Sequence, residues 1–379
     1  MGKEIKELVL LGGGHTHVSV LKGFGVKPMS GVRITLIGRD ALTPYSGMLP
    51  GYVAGHYTHV QCHIDLAPLS RFAKARFIHD EAVGLDLDKR LVYLAAHPPV
   101  AYDVLSIDIG STPAVEQTPG AATHTTWVKP IAKFTSRWEA LLAQISATPK
   151  PLRIGVVGGG AGGVELLLAI HYRLTFEYQS RHWDPSQLAF NLFQGGDKIL
   201  PAHPKKVRQI FSQTLADRGI HVLVNTLIVR VAQDELFSEG QRFAMDEVFW
   251  VTQAGAADWL KETGLALDER GFIQVDDDLQ SISHEGVFAV GDIAHMVNHP
   301  RPKAGVFAVR QGPPLTENLR CILNHRPTKP FKPQRTYLTL ISTGNRYAVG
   351  SKAGLTVKGP WVWRWKDWLD RAFINEFSM

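Results

Sequence analysis

Leu8-Val9-Leu10-Leu11 runs directly into Gly12-Gly13-Gly14-His15-Thr16-His17, and Val18-Ser19-Val20-Leu21 follows. Apolar strand, glycine turn and helix-compatible segment, in that order, form the arrangement that receives a dinucleotide pyrophosphate. The turn lets backbone approach the phosphates, and the helix start offers unpaired N–H groups and partial positive charge. Gly12, Gly14, His15 and Thr16 are therefore candidate phosphate contacts. His17 stands where the third glycine of a G-x-G-x-x-G pattern belongs. That predicts either a wider helix–strand separation or a side chain turned outward. His15 and His17 beside a phosphate read as structural or phosphate-facing groups, and no metal site is expected.

The same arrangement occurs again further on. Arg153-Ile154-Gly155-Val156-Val157 leads into Gly158-Gly159-Gly160-Ala161-Gly162-Gly163, a complete G-x-G-x-x-G, and Val164–Ile170 continues as a helix. Gly158 serves the turn, Gly160 the approach to phosphate, and Gly163 the close contact of helix and strand. Two copies predict an α/β chain with two Rossmann-like dinucleotide-binding domains and a small C-terminal α+β segment. The boundaries expected from turn and linker signals are 1–115 with 275–330, then 116–274, then 331–379.

Composition agrees with a globular protein of this size: 379 residues, 45% hydrophobic and 20% charged. Cys62 and Cys321 are the two cysteines, far apart and outside any C-x-x-C pair, which predicts a reducing compartment and no redox-active disulfide. No stretch approaches ~20 apolar residues. The N-terminal apolar run breaks into glycines and not into a cleavage site, so the expected location is the cytoplasm. The net charge of +6 comes without a Lys/Arg block or nucleic-acid motif, so anionic cofactors or a membrane surface suit it better than nucleic acid.

Several further stretches carry chemistry. Val32–Ile37 reads as the second strand, and the acid expected at its end to accept from a ribose is replaced by Gly38-Arg39-Asp40, leaving Arg39 and Asp40 as candidates. The stretch from Thr43 to His56 holds Pro44, Tyr45, Ser46, Gly47 and Met48. It suits either packing beside a flat ring or a tight core loop. Tyr102–Ile109 ends at Gly110, and Thr112–Gly120 reads as a linker. The strand Leu188–Phe193 ends at Gln194, which neither repels a ribose 2′-phosphate nor supplies charge to bind one, so NADH and NADPH both stay open. Ile220–Val231 reads as β-rich. Gly286–Val290 ends in Gly291-Asp292, where glycine allows close approach and the carboxylate can accept from a sugar-alcohol hydroxyl. Lys303-Ala304-Gly305 opens a helix whose first N–H groups would face an electron-rich ring edge. In the C-terminal segment, Trp361, Trp365, Trp368 and Ala372 share one helical face among Lys358, Arg364, Lys366 and Arg371. Such a face either lies in a membrane interface or is buried on the body or a second copy; Asp367 and Asp370 tip the expectation toward burial.

Two fingerprints and a late Gly-Asp together resemble the pyridine nucleotide–disulfide oxidoreductase superfamily over nearly the whole chain. Within it the chain looks most like type II NADH dehydrogenases and sulfide:quinone reductases, and closest to the oxidoreductases found fused to selenide, water dikinase. The matching phrases are Thr43–Gly51, Asp108–Ser111, Arg301–Gly312 and Trp365–Trp368. The resemblance implies FAD at the first fingerprint, NAD(P)H at the second, and Asp292 at the FAD ribityl chain. It implies hydride transfer from NAD(P)H to flavin, with Glu165 near the nicotinamide and Lys303 supplying charge near the flavin N1/O2 edge, and onward transfer to a quinone or other small acceptor. A redox-sensing or reductase role linked to selenium metabolism is the alternative. Cysteines that disulfide reductases and sulfide:quinone reductases use are missing here. Where type II NADH dehydrogenases carry Ala-Gln-x-Ala-x-Gln-Gln, this chain has Gly305-Val306-Phe307-Ala308-Val309-Arg310-Gln311, with Val306 and Arg310 replacing two glutamines.

Overall fold

The computed structural model describes residues 5–113, 115, 117–148, 150–252 and 254–379. Ala114 and Glu116, inside the expected linker and at its domain boundary, lie outside the described residues. Two five-stranded sheets organise the chain, and every pairing within both is parallel. The first runs Val287–Ala289, Val104–Ile107, Lys6–Leu11, Val32–Gly38, Arg76–His79 from edge to edge. The second runs Thr126–Trp127, Glu247–Trp250, Leu152–Val157, Leu188–Phe193, His221–Leu223. Central strands are apolar on both faces, as a sheet covered by helices requires: Leu8, Val9 and Leu10 are all fully buried.

Each fingerprint joins a central strand to a helix, His15–Val26 in the first copy and Ala161–Ser180 in the second. A long helix, Gly305–Leu323, lies against His15–Val26. The two come close because small residues meet there: a Cβ at Gly312 would stand 2.4 Å from that of Ser19, and one at Gly23 2.7 Å from Thr316 Cγ2. A three-stranded antiparallel sheet (Thr339–Ser342, Ala348–Lys352, Leu355–Gly359) and a final helix, Pro360–Glu376, complete the described chain. The hairpin of that sheet presses on the second fingerprint helix, since a Cβ on Gly344 would lie 2.1 Å from the Leu168 carbonyl oxygen.

Three expectations need correction. The β-rich reading of Ile220–Val231 contracts to His221–Leu223, because Asn225 adopts a left-handed φ of 52° and ends the strand. Arg230–Ala232 then starts a separate three-stranded antiparallel sheet. His17 does not turn outward. It is fully buried, with Nδ1 hydrogen-bonded to the Gly12 carbonyl at 2.6 Å and Nε2 to Ser106 Oγ at 2.8 Å. Burial lowers its pKa to about 4, so it is neutral. The C-terminal helix packs through Val362, Trp363, Lys366, Asp370 and Ile374, and leaves Trp361 and Trp368 more than half exposed. The i, i+4, i+7 spacing of Trp361, Trp365 and Trp368 marks the solvent side of this helix.

Gly163 is the tightest point of the second turn, where a Cβ would sit 1.8 Å from the Gly158 carbonyl oxygen. Gly163→Ala is expected to destabilise the protein by about 1–3 kcal/mol through forced separation of helix and strand. Chemical denaturation of the variant beside the parent measures this, and an unchanged midpoint would refute it.

Candidate active site

A groove of about 590 Å³ follows the C-terminal edge of the first sheet. One end is bordered by Arg39, Asp40 and His79–Ala82, the middle by Gly12–His15 and Asp108–Thr112, and the other end by Pro44, Ser46, Lys129–Ala132, Asp292 and Gly305. Binding at the carboxyl ends of parallel strands is the general rule for such sheets. Of the sequence candidates, the groove gathers Gly12, Gly14, His15, Arg39, Asp40, Pro44, Ser46, Gly110, Asp292 and Gly305.

The middle of the groove is built around Asp108. This carboxylate is 3% exposed, and its Oδ2 accepts from the N–H groups of Thr16 at 3.0 Å and His17 at 3.1 Å. It occupies part of the helix start, and Gly14 makes room for it: a Cβ there would fall 2.3 Å from the carboxylate. Among the described residues no protein acceptor meets the N–H groups of Gly13 and His15, so the turn keeps donors for an anionic ligand. Burial raises the Asp108 carboxyl to about 7 despite its two N–H donors. Thr16, a sequence candidate, is buried behind the turn, with its hydroxyl donating to the Ala308 carbonyl at 2.7 Å. The half-buried His15 is held below its usual pKa by desolvation, and its Nε2 donates to the Pro44 carbonyl at 3.1 Å.

At the far end Asp292 is held from the other half of the molecule. Lys129 Nζ donates to it at 2.6 Å and to Ser111 Oγ at 2.9 Å. Burial pushes the Asp292 carboxyl up, but Lys129, with His15 and Lys303, outweighs this and keeps it below the ordinary carboxylate range. Lys129 was not legible as a site residue, because it lies in a Val-Lys-Pro stretch without a pattern. Gly291, Lys303 and Ala304 line a small side cavity with Asp292. Lys303, expected at the ring edge, points its ammonium to the Ala294 carbonyl at 2.5 Å and lies over the Phe272 ring, 3.9 Å from its centre. The N-terminus of Gly305–Leu323, expected there together with Lys303, borders the groove through Gly305 and Ala308. Gln311, the glutamine retained from the quinone-type segment, accepts from Gly291 N–H at 2.7 Å and is a support for the turn. Arg310 is exposed.

The stretch after Pro44 divides its residues. Pro44 and Ser46 line the groove, whereas Met48 is fully buried in the core. Tyr45 stacks at 4.5 Å on Phe373 of the final helix. The Gly47 carbonyl accepts from Lys366 Nζ at 2.6 Å, and the same ammonium binds Asp370 at 2.7 Å. Glu165, in the second turn of its helix, accepts from Ser342 N–H at 2.7 Å. Burial raises the Glu165 carboxyl to about 7 against the opposing charge of Lys366. Lys366 stays charged, because Asp370 and Glu165 outweigh the cost of its burial.

In the second fingerprint the three glycines divide their work. Gly158 has φ +119° and abuts the Val251 carbonyl, Gly163 abuts Gly158, and nothing lies within 4 Å of a Cβ on Gly160. Gln194 accepts from Gly159 N–H at 2.9 Å through its side-chain Oε1. Cys62 and Cys321 are buried and unpaired and do not border the groove, and burial drives the Cys62 thiol up to about 12. Among the described residues no His/Cys/Asp/Glu group has the geometry for a metal ion.

Residues 6–312 match the family of pyridine nucleotide-disulphide oxidoreductases, and the chain belongs to that family. It is an oxidoreductase, and membership carries with it the family's two cofactors, FAD and NAD(P)H. A type II NADH:quinone oxidoreductase of Haemophilus influenzae is 28% identical over 224 residues, covering 55% of this chain and 50% of that protein. One from Staphylococcus aureus is 22% identical over 378 residues, covering 95% and 92%. Among solved structures, NDH2 of Plasmodium falciparum in complex with NADH superposes with a TM-score of 0.83 at 15% identity, covering 98% of this chain and 97% of that one. The sulfide:quinone oxidoreductase of Aquifex aeolicus gives 0.81 at 17% identity, covering 98% and 91%. The groove suits FAD on its own terms, with free turn donors in the middle, an ionised carboxylate at one end and a helix start beside it.

Asp108 also fixes a pH dependence. Its folded pKa of about 7 lies above the ordinary aspartate value of 3.8, because burial disfavours the charged form, so the folded state holds the proton more tightly. Stability from this residue is complete below the lower value and is lost as pH rises through the upper one. Asp108→Asn, without flavin, should therefore gain stability relative to the parent from pH 4 to 7 and run parallel above. Thermal melts across that range test it, and parallel curves throughout would refute it.

Proposed function

We propose that the chain is an FAD-dependent NAD(P)H dehydrogenase that passes electrons to a quinone or another small acceptor without a redox-active thiol. The observation that carries this reading is the joining of the two nucleotide halves at one place. Lys129, from the second half, fixes Asp292 at the end of a groove whose middle is the first fingerprint. FAD, when bound, supplies a two-electron carrier between NAD(P)H and the acceptor.

The residues of the chain have separable tasks in this reading. The first turn and its helix start bind the FAD pyrophosphate. Asp292, kept ionised by Lys129, accepts from a ribityl hydroxyl. The start of Gly305–Leu323 presents its dipole to the ring edge, a part expected of it together with Lys303. The second fingerprint binds the NAD(P)H pyrophosphate and Gly160 leaves it space. Glu165 holds a proton near neutral pH, with one oxygen fixed by Ser342 N–H, and is the group that can exchange a proton beside the reacting rings. The buried cysteines support a thiol-free route.

Purified protein should be yellow and should bleach anaerobically with NADH or NADPH. Gly160→Val introduces its side chain into open space and so should keep flavin and fold while abolishing bleaching. Retained bleaching would overturn the assignment of the second site. Asp292→Ala should lower the flavin content, and full retention would overturn its ribityl role.

The reading extends to a peripheral membrane location. Trp361, Trp365 and Trp368 are exposed at 51%, 38% and 65%, and Leu355 and Val357 of the neighbouring strand are exposed with them. Lys352, Lys358 and Arg364 are exposed nearby. Aromatic and basic groups together suit an anionic lipid interface. No described helix is long and apolar enough to cross a membrane. Replacing the three tryptophans by serine should reduce co-sedimentation with anionic phospholipid vesicles several-fold while the flavin spectrum is unchanged; equal co-sedimentation would refute lipid as the partner of this face.

A further inference from the structure

The end of the strand Leu188–Phe193 decides which pyridine nucleotide the second site takes. In a dinucleotide fold this position faces the adenosine ribose, where an acid accepts from the 2′-hydroxyl and repels a 2′-phosphate. Gln194 occupies it and is pinned at three points. Its N–H donates to the Leu223 carbonyl at 2.9 Å, its carbonyl accepts from Thr226 N–H at 2.9 Å, and its side-chain Oε1 accepts from Gly159 N–H at 2.9 Å. A backbone N–H can only donate, so the amide is oriented with oxygen toward the turn and Nε2 away from it. No protein acceptor for Nε2 is found among the described residues. Gly196 keeps this nitrogen clear, because a Cβ there would lie 3.0 Å from it. The side chain thus shows donors where an acid would show acceptors.

The surrounding charge has the same sense. Residues 194–208 contain Lys198, Lys205, Lys206 and Arg208 against the single carboxylate of Asp197. The Leu200 N–H bond to the Gly159 carbonyl, at 2.7 Å, folds this segment back onto the glycine turn. Asp197 is turned to solvent, 72% exposed, and Lys198 lies 3.3 Å from it.

We propose that the second dinucleotide site takes NADPH in preference to NADH, and that Gln194 sets the preference by donating to the 2′-phosphate. This rests on the reading of the second fingerprint as a pyridine-nucleotide site. The test uses the FAD-loaded protein, with dissociation constants for NADPH and NADH measured by nucleotide fluorescence and anaerobic bleaching followed alongside. NADPH should bind about tenfold or more tightly than NADH, as a charge-assisted hydrogen bond would give. The advantage should shrink as salt rises. Gln194→Glu keeps an acceptor for Gly159 N–H and should reverse the ratio by weakening NADPH. Gln194→Ala should bring the two nucleotides close together, and retained flavin reports folding in both variants. Tighter NADH with bleaching intact, or a ratio unmoved by Gln194→Glu, would overturn the inference alone. Failure of both nucleotides to bind would overturn the dehydrogenase reading as well.

Discussion

The buried carboxylate of Asp108 at the start of the first fingerprint helix is the contact on which the cofactor end of the molecule depends. Three glycines crowd around this one residue. A Cβ on Gly12 would meet its carbonyl oxygen at 2.3 Å, one on Gly14 its carboxylate at 2.3 Å, and one on Gly291 its Oδ1 at 2.4 Å. The glycine pattern is therefore as much a mould around Asp108 as a cradle for a ligand. Two N–H bonds to a carboxylate are of the stronger kind, about 1.5–3 kcal/mol each. They offset only part of the cost of burying the group, whose carboxyl is still raised to about 7, and they tie the strand Val104–Ile107 to the helix His15–Val26 at the glycine turn. His17 completes the arrangement from behind by bridging Gly12 and Ser106, the tie that the missing third glycine would have left out.

A second buried cluster joins three distant parts of the chain. Lys366 reaches the Gly47 carbonyl and Asp370, and shapes the pKa of Glu165. A buried ammonium is tolerable only with such partners. The cluster brings together a loop of the first half, the second fingerprint helix and the final helix. It is also where the outcome departs most from a linear reading, since Glu165 sits among charges supplied from positions far along the chain.

Both fingerprints, the parallel sheets and the late Gly-Asp were readable because local strand–turn–helix order reports itself through glycine spacing and apolar runs. The residues at the groove's middle were readable for the same reason. Lys129, Asp108 as a helix-start carboxylate, and the Lys366–Asp370 pair were not, because their meaning lies in long-range contacts that leave no periodic trace. The direction of the Lys303 ammonium was not readable either, because its contacts with the Phe272 ring and the Ala294 carbonyl come from distant or unpatterned positions. The tryptophan face misled for a different reason. Large aromatic side chains at helical spacing normally mark the packed side, and here the packed side is the one bearing Lys366 and Asp370.

The final helix is a rod of 17 residues, about 25 Å long, that presents Trp361, Trp365 and Trp368 outward and the Lys366 cluster inward. In the order of synthesis it follows every other described element. The loop at Gly47 and the carboxyl of Glu165 can be shaped by a partner only after that rod has left the ribosome and docked. Without that rod both glycine turns would remain, but the Gly47 carbonyl would lose its ammonium donor and Glu165 the opposing charge that holds its carboxyl down.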